Sequence, residues 1–153
     1  MVRVLFVCHG NICRSPMAEF VMKDLVKKAG LEKDFYIESA ATSDEELGNS
    51  VYPPARRKLK EHGLDCDGKS ARQITASDYD RFDYIVAMDK MNIRNISYII
   101  KSDPEHKISL LMDYTSTKRD VADPWFTGDF DVTWDDVSRG CSGLLKKICS
   151  NGV

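Results

Sequence analysis

The chain reads as an α/β fold in which parallel strands alternate with helices. Short apolar runs alternate with amphipathic stretches along its length, the sequence form of successive βαβ units. At the start, Val4-Leu5-Phe6-Val7 leads through Cys8-His9-Gly10-Asn11-Ile12-Cys13-Arg14 to Ser15-Pro16, joining an apolar strand to a helix start by one short turn. The 153 residues, 42% of them hydrophobic, suffice for one domain of ordinary size with a substantial core.

The first strand is read over Arg3–Cys8. Ser15 is then the N-cap and Pro16 the first residue of a helix over Pro16–Ala29. Its inner face is drawn through Phe20, Leu25 and Ala29 with Ala18, Val21, Met22 and Val26 alongside, and Gly30 is its C′ glycine. A strand over Tyr36–Ala40 and a helix over Pro54–His62 follow, the latter closed by His62-Gly63. The apolar run Tyr84–Ala87 is the third strand, Lys90–Ile100 the third helix, Lys107–Leu110 the fourth strand, and a last helix runs from about Thr133 to Cys149. Residues Asp113–Asp131 have little periodicity and hold Pro124 and Gly128, which predicts a long functional loop. No repeat, low-complexity tract or boundary divides the chain, so one domain over residues 1–153 is expected.

The turn after the first strand has the chemistry of a covalent phosphate-handling site. Cys8 closes the strand at the sheet's carboxyl edge, and the following turn can aim successive backbone N–H groups at a tetrahedral oxyanion. Arg14 adds a planar, permanently charged fork able to bind two phosphoryl oxygens. A cysteine beside a cation at a helix N-terminus can have its pKa lowered to roughly 3.5–7.5, which makes a nucleophilic thiolate at neutral pH. The competing reading of Cys8 is a small buried hydrophobe at a strand end.

Phosphate ester cleavage also needs a proton donor for the leaving oxygen. Asp123 and Asp120 are the candidates in the long loop. Asp123 precedes Pro124, which restricts it to extended backbone, and Trp125 and Phe126 are expected to desolvate its carboxyl and raise its pKa. An Asp-Pro pair is equally a common turn starter.

Composition excludes several function classes. A net charge of −2 gives no basic excess for nucleic acid or a polybasic membrane contact. No apolar run approaches a membrane span, and the first residues lack the pattern of a secretory leader. Five cysteines, at 8, 13, 66, 141 and 149, do not suit a disulfide framework and point to a reducing cytoplasm. His9, His62 and His106 are scattered without ligand spacing, so no metal or other cofactor is expected.

The segment Val7-Cys8-His9-Gly10-Asn11-Ile12-Cys13-Arg14-Ser15-Pro16 resembles the signature of the low-molecular-weight protein tyrosine phosphatases. Further matches are Ser39-Ala40-Ala41-Thr42-Ser43, Ala71-Arg72-Gln73, Met88-Asp89 and Asp123-Pro124-Trp125-Phe126, so the resemblance spans nearly the whole chain. It implies a single three-layer domain with a four-stranded parallel twisted sheet flanked by helices, the phosphotyrosine protein phosphatase I-like fold, acting as a monomer. Cys8, Ser39 and Asp89 would then gather at one rim, with Asp123 rather than Asp120 delivered by the long loop. Cys8 is implied as nucleophile, Asp123 as general acid and then base, and Arg14 with the backbone of residues 9 to 15, His9, Gly10, Asn11, Ile12, Cys13 and Ser15 among them, as the phosphate cradle. Ser39 would bond Asn11 or merely terminate a strand; Asp89 would support the site or merely cap the helix from Lys90.

The implied substrate is a phosphotyrosine protein or a small aryl phosphate, with Trp125 and Phe126 forming an aromatic slot. The chain departs from the family pattern at Glu45-Glu46, where many relatives carry a rim aromatic, at Lys69, where others often have histidine, and at Trp125-Phe126, which replace paired tyrosines. Two alternatives are arsenate reduction, which would need relay cysteines that Cys66, Cys141 and Cys149 are poorly placed to supply, and a silent phosphotyrosine-binding module. Cys13, inside the loop, is expected to trap an oxidised Cys8 as a disulfide.

Overall fold

The computed structural model describes residues 1–152. Strands β1 (Val2–Cys8), β2 (Phe35–Ala41), β3 (Tyr84–Ala87) and β4 (Ile108–Leu110) form one all-parallel sheet in the order β2-β1-β3-β4. Strand β1 is central because its run from Val4 to Cys8 has no polar face to offer solvent, and all five residues are buried. Val2 to Cys8 pair with Phe35 to Ala41 on one edge, and Val4 to Val7 pair with Tyr84 to Ala87 on the other. The chain therefore passes to one side of β1 and then returns to its opposite side. That reversal puts the topological switch point, where open α/β sheets bind ligands, at the carboxyl end of β1, at Cys8.

Alternation along β1 sorts the helices into two layers. Val4, Phe6 and Cys8 pack on the face covered by α1 (Arg14–Lys28), α2 (Pro53–Glu61) and α6 (Phe130–Ser150), while Leu5 and Val7 face α3 (Asp78–Arg81) and α4 (Lys90–Ile99). Helix α6 supplies Val137, Cys141, Leu144 and Ile148 to the first layer, the spacing of a single helical stripe. Gly30 (φ +73°) ends α1 in a Schellman motif, its amide donating to the Lys27 carbonyl at 3.0 Å and that of Leu31 to Val26 at 2.8 Å. Gly63 ends α2 in the same way.

Several expectations need correction. Helix α1 begins at Arg14, with Cys13 at its cap position and no side chain capping it; Ser15 lies inside the helix. Its buried face is Met17, Ala18, Val21, Met22 and Val26, one helical stripe against the core, with Phe20 and Leu25 at its margin and Ala29 exposed at the cap after the last helical residue, Lys28. The stretch 113–131 is not all loop: a 3-10 turn covers Leu111–Tyr114, α5 forms over Pro124–Thr127, and α6 starts at Phe130 because the Asp129 side chain accepts the Val132 amide at 3.0 Å. The short α3 and the 3-10 turn at Glu32–Asp34 are too brief to show periodicity. No helix among the described residues is long and apolar enough to cross a membrane.

Helix α6 meets the 3-10 turn through a glycine seam. A Cβ built on Gly143 would fall 1.9 Å from the Tyr114 carbonyl oxygen, and one on Gly140 2.4 Å from Leu111 Cγ. Gly143→Ala thus sets a helix-propensity gain of about 1 kcal/mol against an overpacking cost of about 1–3 kcal/mol, with a backbone carbonyl that cannot rotate away. A lowered urea midpoint is the expected outcome; an unchanged or raised midpoint would mean that the seam opens freely.

Candidate active site

The loop from Cys8 to Arg14 is shaped by its carbonyls. Those of Cys8, His9 and Ile12 accept the amides of Thr42, Ser43 and Tyr52 at 2.9, 3.1 and 2.9 Å. In a planar trans peptide the following N–H points the opposite way, so the amides of His9, Gly10 and Cys13 turn toward the loop's interior. The buried Cys8 Sγ lies at the base of that interior, accepting the Asn11 amide at 3.3 Å and lying 3.0 Å from Ser15 Oγ. Ser15 therefore spends its hydroxyl on the sulfur instead of capping α1.

Asn11 adopts a left-handed backbone, φ +60°, which costs a non-glycine residue about 1–2 kcal/mol. Its side chain holds that conformation in place. Nδ2 donates to Ser15 Oγ at 2.8 Å and to Ser39 Oγ at 2.9 Å, and Oδ1 accepts the Arg72 amide at 3.2 Å. Ser39 in turn donates to Glu19 at 2.6 Å, and Lys69 donates to the Ser39 carbonyl at 2.9 Å while pairing with Glu19 at 3.3 Å. Burial pushes the Lys69 ammonium down, with the Glu19 charge and hydrogen bond opposing that shift.

Arg14 is only 2% exposed. Its Nη1 donates to Asp89 Oδ2 at 2.6 Å and to the Val121 carbonyl at 2.9 Å, and Nη2 lies 3.5 Å from Asp123 Oδ2. Burial alone would push the guanidinium down, but Cys8, Asp89 and Asp123 outweigh it and the net direction is up. Both readings of Asp89 hold at once, because its two oxygens divide the work: Oδ2 meets Arg14, and Oδ1 caps α4 by accepting the Asn92 amide at 2.7 Å. Burial, then the charges of Cys8 and Asp123, push the Cys13 thiol well above its ordinary value.

Above the loop opens a cavity of about 180 Å³ lined by Cys8, His9, Gly10, Ile12, Cys13, Arg14, Glu45, Glu46, Asp123, Trp125 and Phe126. Asn11, Ser15, Ser39 and Asp89 lie behind or beside it. Asp123 has the extended backbone its proline requires and caps α5, Oδ1 accepting the Trp125 amide at 3.0 Å. Asp120 does not line the cavity; its carboxylate accepts the Lys90 amide at 3.2 Å. The two aromatics line the mouth and do not enclose the acid, since Phe126 is 84% exposed and the Asp123 side chain 26%. On the opposite rim, Glu45 pairs with His9 at 2.9 Å, and Glu46 lies 3.3 Å from where a Gly10 Cβ would stand, so any larger residue at 10 would crowd it.

The family model of low molecular weight phosphotyrosine protein phosphatases matches residues 3–152. The chain belongs to this family. Two curated relatives are the low molecular weight protein-tyrosine-phosphatase YfkJ of Bacillus subtilis, 41% identical over 97% of this chain and 96% of that protein, and a low molecular weight phosphotyrosine protein phosphatase of Gallus gallus, 40% identical over 94% of each. The crystal structure of YfkJ superposes over 100% of this chain and 98% of that one with a TM-score of 0.96. A Drosophila relative described as an arginine phosphatase is 35% identical, with a TM-score of 0.87 over 95% of this chain and 96% of that one. The fold of this phosphatase-family chain is thus the one its signature implies.

Some residues around the site had no motif to announce them. Glu19 sits on the inner side of α1, one turn after Ser15, where a carboxylate in a helix otherwise apolar on that side was the available signal. Tyr52 packs against Trp125 with ring centroids 4.7 Å apart and the rings tilted by 49°, and gave none. Asn11→Ala would leave the left-handed turn unsupported and Ser39, Ser15 and the Arg72 amide short of a partner. A stability loss of about 2–5 kcal/mol is expected, summing about 1–2 of strain with about 1–3 for unsatisfied groups. Urea unfolding measures it, and a loss below about 0.5 kcal/mol, the range of neutral surface changes, would show that the network does not hold the loop.

Proposed function

We propose that this chain is a protein tyrosine phosphatase that hydrolyses phosphotyrosine proteins and small aryl phosphates through a phosphocysteine on Cys8. The observation that carries this reading is the convergence of Cys8 Sγ, the paired Arg14 guanidinium and the Asp123 carboxyl on one cavity floored by inward-turned amides. The Cys8 thiolate attacks phosphorus in line, forming the S–P bond as the ester P–O bond breaks, and Asp123 gives its proton to the leaving oxygen. Asp123, now a carboxylate, takes a proton from water, which attacks phosphorus, breaks the S–P bond and releases phosphate and thiolate. Arg14 and the loop amides hold the non-bridging oxygens, contacts that strengthen as charge develops in the transition state. His9, Gly10, Ile12 and Cys13 shape the cradle, while Asn11, Ser15, Ser39 and Asp89 keep it in form.

Phosphotyrosine is favoured over phosphoserine because Trp125, held by Tyr52, and Phe126 flank a mouth suited to a ring, and a short alkyl phosphate would not bring its phosphorus to Cys8. The names of the bacterial and avian relatives support the same substrate class. The chain works as one domain in the cytoplasm, a reading supported by its thiols, none of which is paired in a disulfide.

Matched peptides bearing phosphotyrosine, phosphoserine and phosphoarginine test the substrate. The phosphotyrosine peptide is expected to have the highest kcat/KM; equal values, or preference for phosphoarginine, would contradict the aromatic slot. Asp123→Asn tests the acid. It is expected to lower kcat/KM about 10²–10⁴-fold for phenyl phosphate and far less for 2,4-dinitrophenyl phosphate, whose leaving group needs no proton. Equal losses would remove Asp123 from that role.

The same site is expected to be redox-sensitive. Peroxide converts the Cys8 thiolate to a sulfenic acid, and the Cys13 sulfur displaces water from it to form a disulfide that thiols reduce. Oxidation of Cys8 removes one of the charges that hold the Cys13 thiol protonated. Mild peroxide should inactivate the protein with recovery in dithiothreitol, and Cys13→Ser should recover less. Full recovery of that variant, or a Cys8–Cys66 pairing in the oxidised protein, would contradict the trap.

A further inference from the structure

Asp136, in the second turn of α6, is completely buried yet lies outside the cavity. Its Oδ1 accepts from Arg119 at 2.7 Å and from Arg139 at 3.0 Å. Its Oδ2 has no partner among the described residues, so the full anchoring falls on those two arginines. Arg139 also donates to Thr117 Oγ1 at 3.1 Å, and the Arg119 amide to the Thr117 carbonyl at 3.1 Å. Thr117 and Arg119, two points of the segment that ends at Asp123, are thereby fastened to one helix. Upstream, the glycine seam presses Leu111 and Tyr114 against the same helix. Downstream of Arg119, the Val121 amide donates to Met88 at 2.9 Å and its carbonyl accepts from Arg14. Asp123 lies four residues beyond Arg119 and two beyond Val121, so it is carried directly by these fixed points.

We infer that Asp136 is a positioning residue for Asp123: its buried carboxylate, shared by Arg119 and Arg139, fastens the start of the acid-bearing loop to α6. The inference rests on the reading of Asp123 as general acid. Physically, the carboxylate is the bridge between two like charges. Neutralising it leaves two guanidinium groups facing each other, and the one on the loop is free to swing out. A general acid displaced by about 1 Å loses much of its effect, whereas Cys8 and the loop amides are held from the other side of the site by the Asn11 network.

Arg119→Ala and Asp136→Asn test this, each alone and combined with Asp123→Asn. The readout is kcat/KM over aryl phosphates from 2,4-dinitrophenyl to phenyl, because that constant covers the steps through phosphoryl transfer to Cys8. Each single variant is expected to lose about tenfold with phenyl phosphate and less than about twofold with 2,4-dinitrophenyl phosphate, and to cause no further loss with phenyl phosphate in the Asp123→Asn background. An equal loss across the series, no loss, or a loss that persists in that background would overturn the assignment. Asp136→Asn replaces a buried charge and is checked by its thermal midpoint; if it does not fold, Arg119→Ala decides, since that side chain is 45% exposed. A flat series for Asp123→Asn itself would be a different failure, overturning the general acid and this inference together, whereas a steep series there and a flat one in Arg119→Ala overturns the anchor alone.

Discussion

A permanently charged guanidinium sits almost fully out of water at the carboxyl edge of the sheet, and the site is organised by the need to pair it. An unpaired buried charge would cost several kcal/mol, so Arg14 must find acceptors, and it finds them on elements far apart in sequence: Asp89 at the end of β3, the Val121 carbonyl and the Asp123 carboxyl. Each of these is thereby fixed relative to α1 and to Cys8 one turn before it. The strand order makes this possible. Because β1 lies between β2 and β3, its end is the one place that the turns after both neighbours can reach.

A second constraint acts from the other side of the loop. Asn11 in the left-handed region lets the chain curl tightly enough for its amides to face inward, and the Asn11–Ser39–Glu19–Lys69 chain of hydrogen bonds offsets the strain. Lys69 is part of this grip, donating to the Ser39 carbonyl at 2.9 Å. In this chain Glu19 is shared by two lysines, Lys23 on its Oε2 at 2.6 Å and the partly desolvated Lys69 on its Oε1 at 3.3 Å. The loop is thus gripped between a cation on its inner face, Arg14, and a buried carboxylate behind it, Glu19.

Much of this was legible in the residues. The four strands, the three longer central helices and the glycines that end α1 and α2 follow from apolar runs and local turn chemistry, and the Cys8-to-Arg14 turn declared its chemistry through the types it combines. Ser15 misled because Ser-Pro is a common helix start; here the hydroxyl is drawn to the Cys8 sulfur and to Asn11, a tertiary demand that local preference cannot register. The inner face of α1 was misdrawn because Phe20 and Leu25, apolar residues at its margin, extend the apolar pattern beyond the buried stripe. The 113–131 stretch looked structureless since its order comes from single contacts, the Asp129 cap and the arginines on Asp136, and none of these leaves a periodic trace. Tyr52 and Glu19 became visible only once β2 and α2 were folded against the loop.

The proposed function turns on one chemical event, transfer of a phosphoryl group to the Cys8 sulfur. Its most direct measurement is rapid acid quenching of the protein during turnover of an aryl phosphate, followed by mass analysis of its peptides. A phosphoryl group on the peptide that contains Cys8, absent when Cys8 is replaced by Ser, is the predicted result. Turnover without any phosphorylated peptide, or with the group on another residue, would contradict the account.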